Sequence, residues 1–277
     1  MISIVICSRN SKIDTILLEN IKSTIGCNFE LIAIDNSKNE YSIFQAYNVG
    51  ITRSKFDFLC FIHDDIIIHT NNWGVKLLEI FNKETEAGLI GLAGAKVKTR
   101  MASGWWDCPH DHKAANLMQH FNTEKNVNWN YGFEAADNIE VSVIDGVFMA
   151  MKKNPDIQFD TTLKGFHNYD LNICLEFKKS GYKILVTNQI FIEHFSLGNL
   201  DVNWLKAIIK FHKQYRQFLP LSVELHPKDI QAIEVKNAKK YFKEILNLGL
   251  NRTSIGLLFD FFIIFFSSGL HKEYFKK

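Results

Sequence analysis

The stretch Phe56–Ile68, FDFLCFIHDDIII, decides how the rest of the chain is interpreted. Its first seven residues are apolar except Asp57, and this run is too short for a membrane span but typical of a buried strand. His63, Asp64 and Asp65 then interrupt the apolar run before it resumes. Two adjacent carboxylates at the end of a buried strand repel each other and lose hydration, so they need a compensating partner.

Two interpretations of this acidic pair are open at this point. A divalent metal ion would compensate both charges, because hard cations prefer carboxylate oxygen as a ligand. Alternatively, Asp64 or Asp65 only caps the turn that follows the strand, while its neighbour faces solvent. The order of strands and helices before this stretch favours the first interpretation.

Upstream of this stretch, apolar strands alternate with helical patterns. Ile2–Cys7 and Phe29–Ile34 have the composition of buried strands. Apolar positions with helical spacing follow each of them, over Ile13–Ile25 with Asn10 as the expected cap, and over Ile43–Ile51. Short connections between such units predict right-handed βαβ crossovers and a mostly parallel, Rossmann-like sheet flanked by helices.

A polar cluster follows each of the three predicted strands. The clusters are Ser8-Arg9-Asn10, Asp35-Asn36-Ser37 and His63-Asp64-Asp65. Ligands of such sheets bind at the carboxyl ends of the strands, so the clusters predict a shared ligand site. Within it, Asp35 either closes an Asx turn or accepts hydrogen bonds from the ribose or base of a nucleotide.

Two large classes of nucleotide-binding protein are disfavoured by the sequence. No GxGxxG follows the first strand, and no GxxxxGK[ST] occurs anywhere in the chain. A dinucleotide-dependent enzyme and a P-loop NTPase are therefore unsupported. Residues 1–200 carry a net charge of −4, from 19 Lys and Arg against 23 Asp and Glu, and show no nucleic-acid-binding motif, so nucleic acid is not an expected partner.

Downstream, the segment 100–137 has weak periodicity and many aromatic residues, among them Trp105, Trp106 and Trp129. It is predicted to be an irregular loop whose aromatics either stack on a sugar or form a small satellite core. A further strand, Val141–Met151, is interrupted by Asp145-Gly146, and a helical pattern follows over Gly165–Lys179.

The composition is that of a globular protein with one large domain and an appendage. The chain has 277 residues, of which 47% are hydrophobic and 22% charged. Its five cysteines are scattered and form no CxxC, which predicts reduced thiols. The start MISIVICS lacks the basic and small-residue features of a signal peptide, so a cytoplasmic location is expected.

The last part of the chain, 201–277, differs from the rest in composition and net charge. It carries 13 Lys and Arg against 7 Asp and Glu, a net charge of +6, and its apolar positions follow helical spacing. Residues 255–266, IGLLFDFFIIFF, form the most apolar segment. This segment is either an interfacial membrane helix or a docking helix or dimer contact, so a homo-oligomer is one expectation.

Over residues 1–200 the chain resembles the family 2 glycosyltransferases with the GT-A fold. The resemblance rests on six motifs in order: IAIDNS at 32–37, AYNVGI at 46–51, FIHDD at 61–65, DGVFMAMKK at 145–153, HNYDLNICLEFKKSGYKI at 167–184 and IEHFSLG at 192–198. The pairing of FIHDD with GFHNYDL is similar to the StrF-type subgroup. The resemblance implies a GT-A domain over 1–200, followed by a helical region over 201–277.

The resemblance also implies where a nucleotide sugar and a metal would bind. Asp35 would bind the uracil or ribose, and the metal-binding DxD of the family falls on 63–65, so Asp65 takes its metal-binding position. His194 matches a histidine that closes the metal and diphosphate site, although a lone histidine is more often a core or surface residue. Ser8, Arg9 and Asp64 are the remaining candidates for contacts with the donor.

The chemistry implied for the acceptor side rests on three residues. Asp145 and Gly146 would lie near the transferred sugar or the acceptor, and Asp170 matches the catalytic base, the alternative role of Asp170 being a helix N-cap. His63 and Tyr169 depart from the family pattern, because each stands where an acidic residue is usual.

Together these features predict an inverting glycosyltransferase that depends on Mn²⁺ or Mg²⁺ and uses a nucleotide-diphospho-sugar, with UDP favoured. The expected acceptor is a glycan or lipid-linked hydroxyl in cell-envelope or polysaccharide synthesis, with 201–277 at the inner face of the membrane. A sugar nucleotidyltransferase is one alternative, but Cys7–Asn10 lacks the expected glycine-rich phosphate loop. The other is a non-catalytic nucleotide-sugar or glycan-binding module.

Overall fold

The computed structural model describes residues 1–121, 125–198 and 200–274. Within them the strands are β1 (Ile2–Ser8), β2 (Phe29–Asp35), β3 (Phe58–Ile62), β4 (Ile66–Ile68), β5 (Ala87–Gly91), β6 (Ala93–Ala95), β7 (Val97–Lys98), β8 (Lys113–His120), β9 (Asn126–Tyr131), β10 (Asn138–Val141), β11 (Val143–Ile144), β12 (Phe148–Lys152), β13 (Lys183–Thr187), β14 (Ile192–His194) and β15 (Leu221–Ser222). The helices are α1 (Thr15–Thr24), α2 (Ile43–Arg53), α3 (Trp73–Lys83), α4 (Tyr169–Lys179), α5 (Val202–Tyr215), α6 (Pro227–Asn247), α7 (Arg252–Ser267) and α8 (Leu270–Tyr274).

The apolar run Phe56–Ile62 contains β3, which lies in the interior of a seven-stranded sheet. The strand order is β10-β13-β5-β12-β3-β1-β2. β1 pairs in parallel with β2 and β3, and β5 pairs in parallel with β13, whereas β12 and β10 run antiparallel to their neighbours. Residues 59–62 are fully buried, as in a strand covered on both faces. The predicted α/β class, a mostly parallel sheet flanked by helices with further helices at the C-terminus, is confirmed.

Local sequence explains how the first two helices are fixed against this sheet. Asp14, and not Asn10, caps α1, because its carboxylate accepts a hydrogen bond from the backbone of Ile16 at 2.8 Å. The expectation for Asn10 is therefore wrong: its backbone N–H donates to the Ser8 hydroxyl at 3.0 Å, within the turn that ends β1. α2 packs closely on β1 at Gly50, where a Cβ would lie 2.4 Å from a Val5 methyl group.

A second sheet covers part of the segment for which an irregular loop was predicted. Its order is β11-β6-β8-β14-β4, with β9 paired to β8 in antiparallel fashion. The prediction of an irregular loop is wrong over 113–120 and 126–131, where β8 and β9 form a strand pair. β8 shows no apolar–polar alternation because four consecutive residues, 114–117, are buried. This sheet matters for function because β14 carries His194 to the edge of β4.

The C-terminal helices are attached to the segment that follows β7. β15 pairs with β7, the Asn237 side chain donates to the Thr99 hydroxyl at 3.0 Å, and His212 Nδ1 lies 2.7 Å from the Arg100 carbonyl oxygen. α7 packs against both α5 and α6. The division of the chain at residue 200 remains a prediction. Over the residues described here, every helix is too short or too polar to traverse a bilayer.

Candidate active site

Three side chains from two strand ends come together at the edge of the second sheet. His63 and Asp65 follow β3, and His194 ends β14, where it pairs in register with Ile66. His63 Nδ1 lies 3.3 Å from His194 Nε2, and Asp65 Oδ1 lies 3.8 Å and 3.5 Å from those two nitrogens. One ligand atom from each residue lies within 4.8 Å of the others. Sequence predicted Asp65 and His194 as metal ligands but treated His63 only as a departure.

Gln119 determines the tautomer of His194. The Gln119 amide nitrogen donates to the carbonyl oxygens of His120 and Ser196, both at 2.8 Å, so its oxygen must be the atom that faces His194. That oxygen lies 2.9 Å from His194 Nδ1, which therefore carries a proton. In the neutral imidazole the Nε2 lone pair of His194 then faces Asp65 and His63, as it does where an oxygen accepts from the other ring nitrogen of a metal-binding histidine.

The other histidine is oriented by the residue that replaces the family's usual acid. The Tyr169 hydroxyl lies 2.7 Å from His63 Nε2, so Tyr169 directs His63 Nδ1 toward His194 and Asp65. Burial, and next the proximity of His194, lower the pKa of His63, which keeps the imidazole neutral near pH 7. Tyr169 thus supplies an orienting contact to His63, where an acidic residue was expected from the family pattern.

The carboxylate of this group is held in its ionised form. Burial alone would raise the pKa of Asp65, but His194 when protonated at Nε2, a hydrogen bond from Ser196 and the charge of His63 when protonated lower it below its ordinary value. One carboxylate oxygen and two imidazole nitrogens therefore converge on one point. This donor set fits a divalent transition metal, since both nitrogen and carboxylate oxygen are suitable ligands. We call His63, Asp65 and His194 the His-Asp-His group.

Asp170 lies in the first turn of α4 and lines a cavity next to this group. Burial, followed by the charge of Asp145, raises its pKa from the ordinary 3.8 to about 7. The N-cap of α4 is Asn168, so the alternative in which Asp170 serves as the cap is wrong. A carboxyl group whose pKa lies near 7 is well matched to accept a proton at neutral pH.

Asp145 and Gly146 form the floor of the same cavity. Asp145 accepts hydrogen bonds from the Trp105 indole at 2.6 Å and from the backbone of Val147 at 2.8 Å. A Cβ at Gly146 would lie 2.3 Å from the Tyr169 hydroxyl, so only glycine leaves that hydroxyl room to reach His63. These two positions were selected from the sequence, whereas the contact of Asp145 with Trp105 was not.

The remaining predicted residues lie at the carboxyl ends of β1, β2 and β3 and do not line the cavity. The Ser8 hydroxyl donates a short hydrogen bond to Asp64, and Ser8 is in register with Asp35. Asp35 is exposed and accepts a hydrogen bond from the backbone of Ser37 at 2.9 Å, so the predicted Asx turn is present. The guanidinium of Arg9 lies 5.9 Å from the centre of the Phe166 ring. A donor role for these four residues remains a prediction.

The cavity has a volume of about 450 Å³ and a mostly apolar lining that includes seven Phe, Trp and Tyr side chains. Of the aromatic segment, Phe133 and Trp105 are buried in the core, and Trp105, Trp106 and Trp129 line the cavity, so stacking on a sugar remains a prediction. Trp106 stacks on Trp204 of α5, with ring centres 6.0 Å apart and an angle of 27° between the planes. The C-terminal region therefore contributes one wall of the cavity, which the sequence did not indicate.

A buried lysine is a further feature that sequence reasoning missed. Lys98 is 1% exposed, and its ammonium group donates to the hydroxyl of Ser103 at 2.9 Å and also to its carbonyl oxygen. Burial lowers its pKa to about 7, against the opposing charges of Asp107 and Asp170. A lysine at the end of a two-residue strand has no sequence pattern that distinguishes it from a surface lysine.

Residues 3–206 match a protein family described as "Glycosyltransferase like family". The chain belongs to this family. The match covers the strands and helices that carry the His-Asp-His group and Asp170. Comparison with curated protein sequences finds no match.

Solved structures similar to this glycosyltransferase-like protein share its fold at low sequence identity. The S. aureus TarS 1–349 structure in complex with UDP-GlcNAc is 13% identical, with a TM-score of 0.55, and the alignment covers 95% of this chain and 81% of that one. The GalNAc-T7 structure with UDP, GalNAc and Mn²⁺ is 10% identical, with a TM-score of 0.50, and the alignment covers 89% and 56%. At these identities the likeness establishes the fold, which is that of GT-A glycosyltransferases.

Proposed function

We propose that this protein is an inverting, metal-dependent glycosyltransferase that uses a nucleotide-diphospho-sugar, with a UDP-sugar as the favoured donor. The observation that carries the proposal is the meeting, at one cavity, of the His-Asp-His group with a carboxyl group whose pKa is near 7. Both similar structures were solved with a uridine nucleotide, and one of them also with Mn²⁺, which supports the choice of donor and cofactor.

The His-Asp-His group is the proposed holder of the metal. Mn²⁺ or Mg²⁺ would there stabilise the negative charge that develops on the leaving diphosphate. Neutral His194 offers its Nε2 lone pair because its Nδ1–H donates to Gln119, and His63 offers the Nδ1 lone pair in the tautomer whose Nε2–H donates to the Tyr169 hydroxyl. The nitrogen ligands favour Mn²⁺ over Mg²⁺, since Mg²⁺ strongly prefers oxygen.

Asp170 is the proposed catalytic base. An acceptor hydroxyl is a poor nucleophile, and a carboxylate within hydrogen-bond reach would take its proton as the new bond to the sugar forms. The sugar–phosphate bond breaks in the same step, and the electron pair leaves with the diphosphate. Attack from the face opposite the diphosphate inverts the anomeric configuration, and no covalent enzyme intermediate is required.

The donor and the acceptor would use different parts of the site. Ser8, Arg9, Asp35 and Asp64, at the ends of the first strands, are proposed to contact the nucleotide, as ligands of such sheets do. The aromatic cavity, with Asp145 and Gly146 at its floor, is proposed to hold the transferred sugar and a glycan acceptor, because aromatic faces suit the apolar faces of sugar rings.

Three finer assignments belong to the same proposal. The contact between His63 and Tyr169 supports the StrF-type subgroup, because both departures from the family pattern then serve one arrangement. A role in cell-envelope glycan or polysaccharide synthesis follows if the acceptor is lipid-linked. A peripheral location at the inner membrane face is proposed through 201–277, and a homo-oligomer remains a prediction.

The test is thermal stabilisation by a panel of nucleotide diphosphates and UDP-sugars, each with and without Mn²⁺. We expect stabilisation by the uridine compounds that requires Mn²⁺ and is lost in Asp65→Ala. Asp156→Ala, at an exposed turn, is the matched control and should behave as the wild type. Absence of any nucleotide effect in either condition contradicts the proposal, whereas nucleotide binding without sugar transfer to any acceptor favours the non-catalytic module.

A further inference from the structure

From Ile255 to Phe266, helix α7 is apolar except at Gly256 and Asp260, although only one side is buried. Leu257, Phe261 and Ile264 are at most 4% exposed, on the side that packs against the neighbouring helices. The opposite side exposes 40–69% of four large side chains: Ile255, Phe259, Phe262 and Phe266. At about 100° per residue these four lie within an arc of about 60°, so they form one continuous stripe.

Two further exposed leucines precede α7 in the chain, Leu246 in the last turn of α6 and Leu250 in the connection between α6 and α7. Leu246 and Leu250 are 55% and 88% exposed, and with the four residues of α7 they make up half of the exposed large apolar side chains in the part of the chain that is described. We call these six residues the α7 face. A groove of about 210 Å³ between α6 and α7, lined mainly by phenylalanines, adjoins it at Phe262. A contiguous apolar surface of this kind marks an interaction site.

Positive charges flank the α7 face. Four exposed cationic residues surround it, and none of them takes part in a salt bridge within the described residues: Lys236, Lys239, Lys243 and Arg252. Asp260 is the only acidic residue between positions 245 and 272, and it is paired with Lys213 at 2.6 Å. The surface therefore combines exposed phenylalanine and leucine with unpaired positive charge.

We propose that the α7 face binds the surface of an anionic lipid bilayer, with α7 lying parallel to the membrane plane. Apolar side chains would enter the headgroup and acyl boundary, while lysines contact anionic headgroups. A helix of 16 residues spans about 24 Å, which is shorter than the hydrocarbon core of about 30 Å. An in-plane orientation is therefore the one that its length permits.

A second copy of the chain is the competing occupant, and the charges disfavour it. In a two-fold symmetric dimer the same patch meets itself, so the cations around the α7 face would be brought together. An anionic lipid surface attracts the same cations.

The position of α7 links this surface to the cavity. α7 packs on α5, and α5 carries Trp204 in the cavity wall. Binding at the α7 face would thus hold the cavity near the membrane, where lipid-linked acceptors are found. The inference does not require the transfer reaction, because vesicle binding is measured without donor or acceptor.

The experiment is co-sedimentation of the full-length protein with vesicles of phosphatidylcholine alone or mixed with phosphatidylglycerol. We expect binding to the anionic vesicles, at least tenfold weaker binding to phosphatidylcholine alone, and weakening with added salt. The double variant Phe259→Asp and Phe262→Asp should lose at least tenfold in affinity. Ile16→Asp, at an isolated isoleucine of α1 that is 67% exposed, is the matched control and should bind as the wild type.

A second variant tests the charges without altering the apolar residues. Replacing Lys236, Lys239 and Lys243 by Gln should weaken binding to anionic vesicles and reduce its dependence on salt. Circular dichroism and thermal unfolding of each variant report whether it is folded, and all these positions are exposed. Two results overturn the proposal: equal or absent binding to both vesicle types, or a dimer in light scattering that dissociates in the double variant, which assigns the α7 face to a second copy.

Discussion

An aspartate follows the end of β3 and another lies at the start of α4, and the pKa values of their carboxyl groups shift in opposite directions. Asp65 lies among two imidazoles and a serine that lower its pKa, whereas burial and Asp145 raise the pKa of Asp170 to about 7. The first is suited to hold a cation and the second to exchange a proton. The neighbours of each residue, more than its type or its position along the strand, determine which chemistry it can perform.

Among the changes that test this difference between Asp65 and Asp170, removing the carboxylate of Asp170 should have the largest effect, a loss of kcat. Asp170→Asn is expected to lower kcat by about 10²–10⁴-fold, because a positioned base contributes a factor of this size. Stabilisation by UDP and Mn²⁺ should remain unchanged, since the His-Asp-His group is intact. Initial rates of transfer and thermal shifts measure the two effects, with Asp156→Asn as control. A kcat within threefold of the wild type would exclude Asp170 as the base.

The second largest effect is expected at Gln119, which supports the metal side of the comparison. Gln119→Met keeps the approximate size of the side chain but removes the oxygen that fixes the His194 tautomer. Loss of a side chain that orients a metal-binding histidine typically weakens metal binding by about 10–100-fold. Mn²⁺ titration by electron paramagnetic resonance measures it, with the exposed Gln217→Met as control. Unchanged Mn²⁺ affinity would mean that His194 does not bind the metal through Nε2.

The pH dependence of transfer should report the raised pKa of Asp170. Below about pH 7 the carboxyl group is protonated and cannot act as a base, so kcat is expected to fall about tenfold for each pH unit. At saturating Mn²⁺ and donor, the rate should level off above that pH. A rate that stays constant down to pH 5 would show that proton removal by Asp170 does not limit the reaction.

The smallest effect concerns stability, and its sign follows from the direction of the pKa shift. Because the pKa of Asp170 is higher in the folded state than the ordinary 3.8, the native protein loses stability as pH rises from about 4 to about 7. Asp170→Asn cannot ionise, so at pH 8 it should exceed the wild type by up to about 4 kcal/mol in free energy of unfolding. At pH 4 the two should coincide. Urea unfolding at both pH values measures the difference, and a variant less stable at pH 8 contradicts the expectation.

Much of the fold was readable from the sequence because local and periodic signals carry it. The apolar runs of β1, β2 and β3 and the helical spacing of α2 place the first half of the sheet. The pairing of β8 with β9 was missed, because a strand buried along four consecutive residues has no alternation to detect. The cap of α1 was misplaced by four residues, since Asn10 and Asp14 both have side chains that favour a helix start.

Of the candidate site, the sequence identified which residues carry chemistry, but not how they contact one another. Asp65, His194 and Asp170 were selected from motifs. The environment of His194 depends on Gln119, and that of Asp145 on Trp105; both partners are far away along the chain and belong to no motif. A hydrogen bond between residues 40 or 75 positions apart leaves no periodic pattern in the sequence, so only the folded arrangement reveals it.

The attachment of the C-terminal helices to the segment after β7 limits how the chain can be divided or recombined. The contacts of Asn237 with Thr99 and of His212 with Arg100 join helices from the last third of the chain to the loop that carries Trp105. A chain shortened at residue 200 would lose Asn237 and His212, which contact that loop, and Trp204, which lines the cavity. Residues 201–277 are therefore a poor choice for exchange with the corresponding region of another protein. If the proposed transfer reaction holds, acceptor preference should depend on residues 1–200 and 201–277 together.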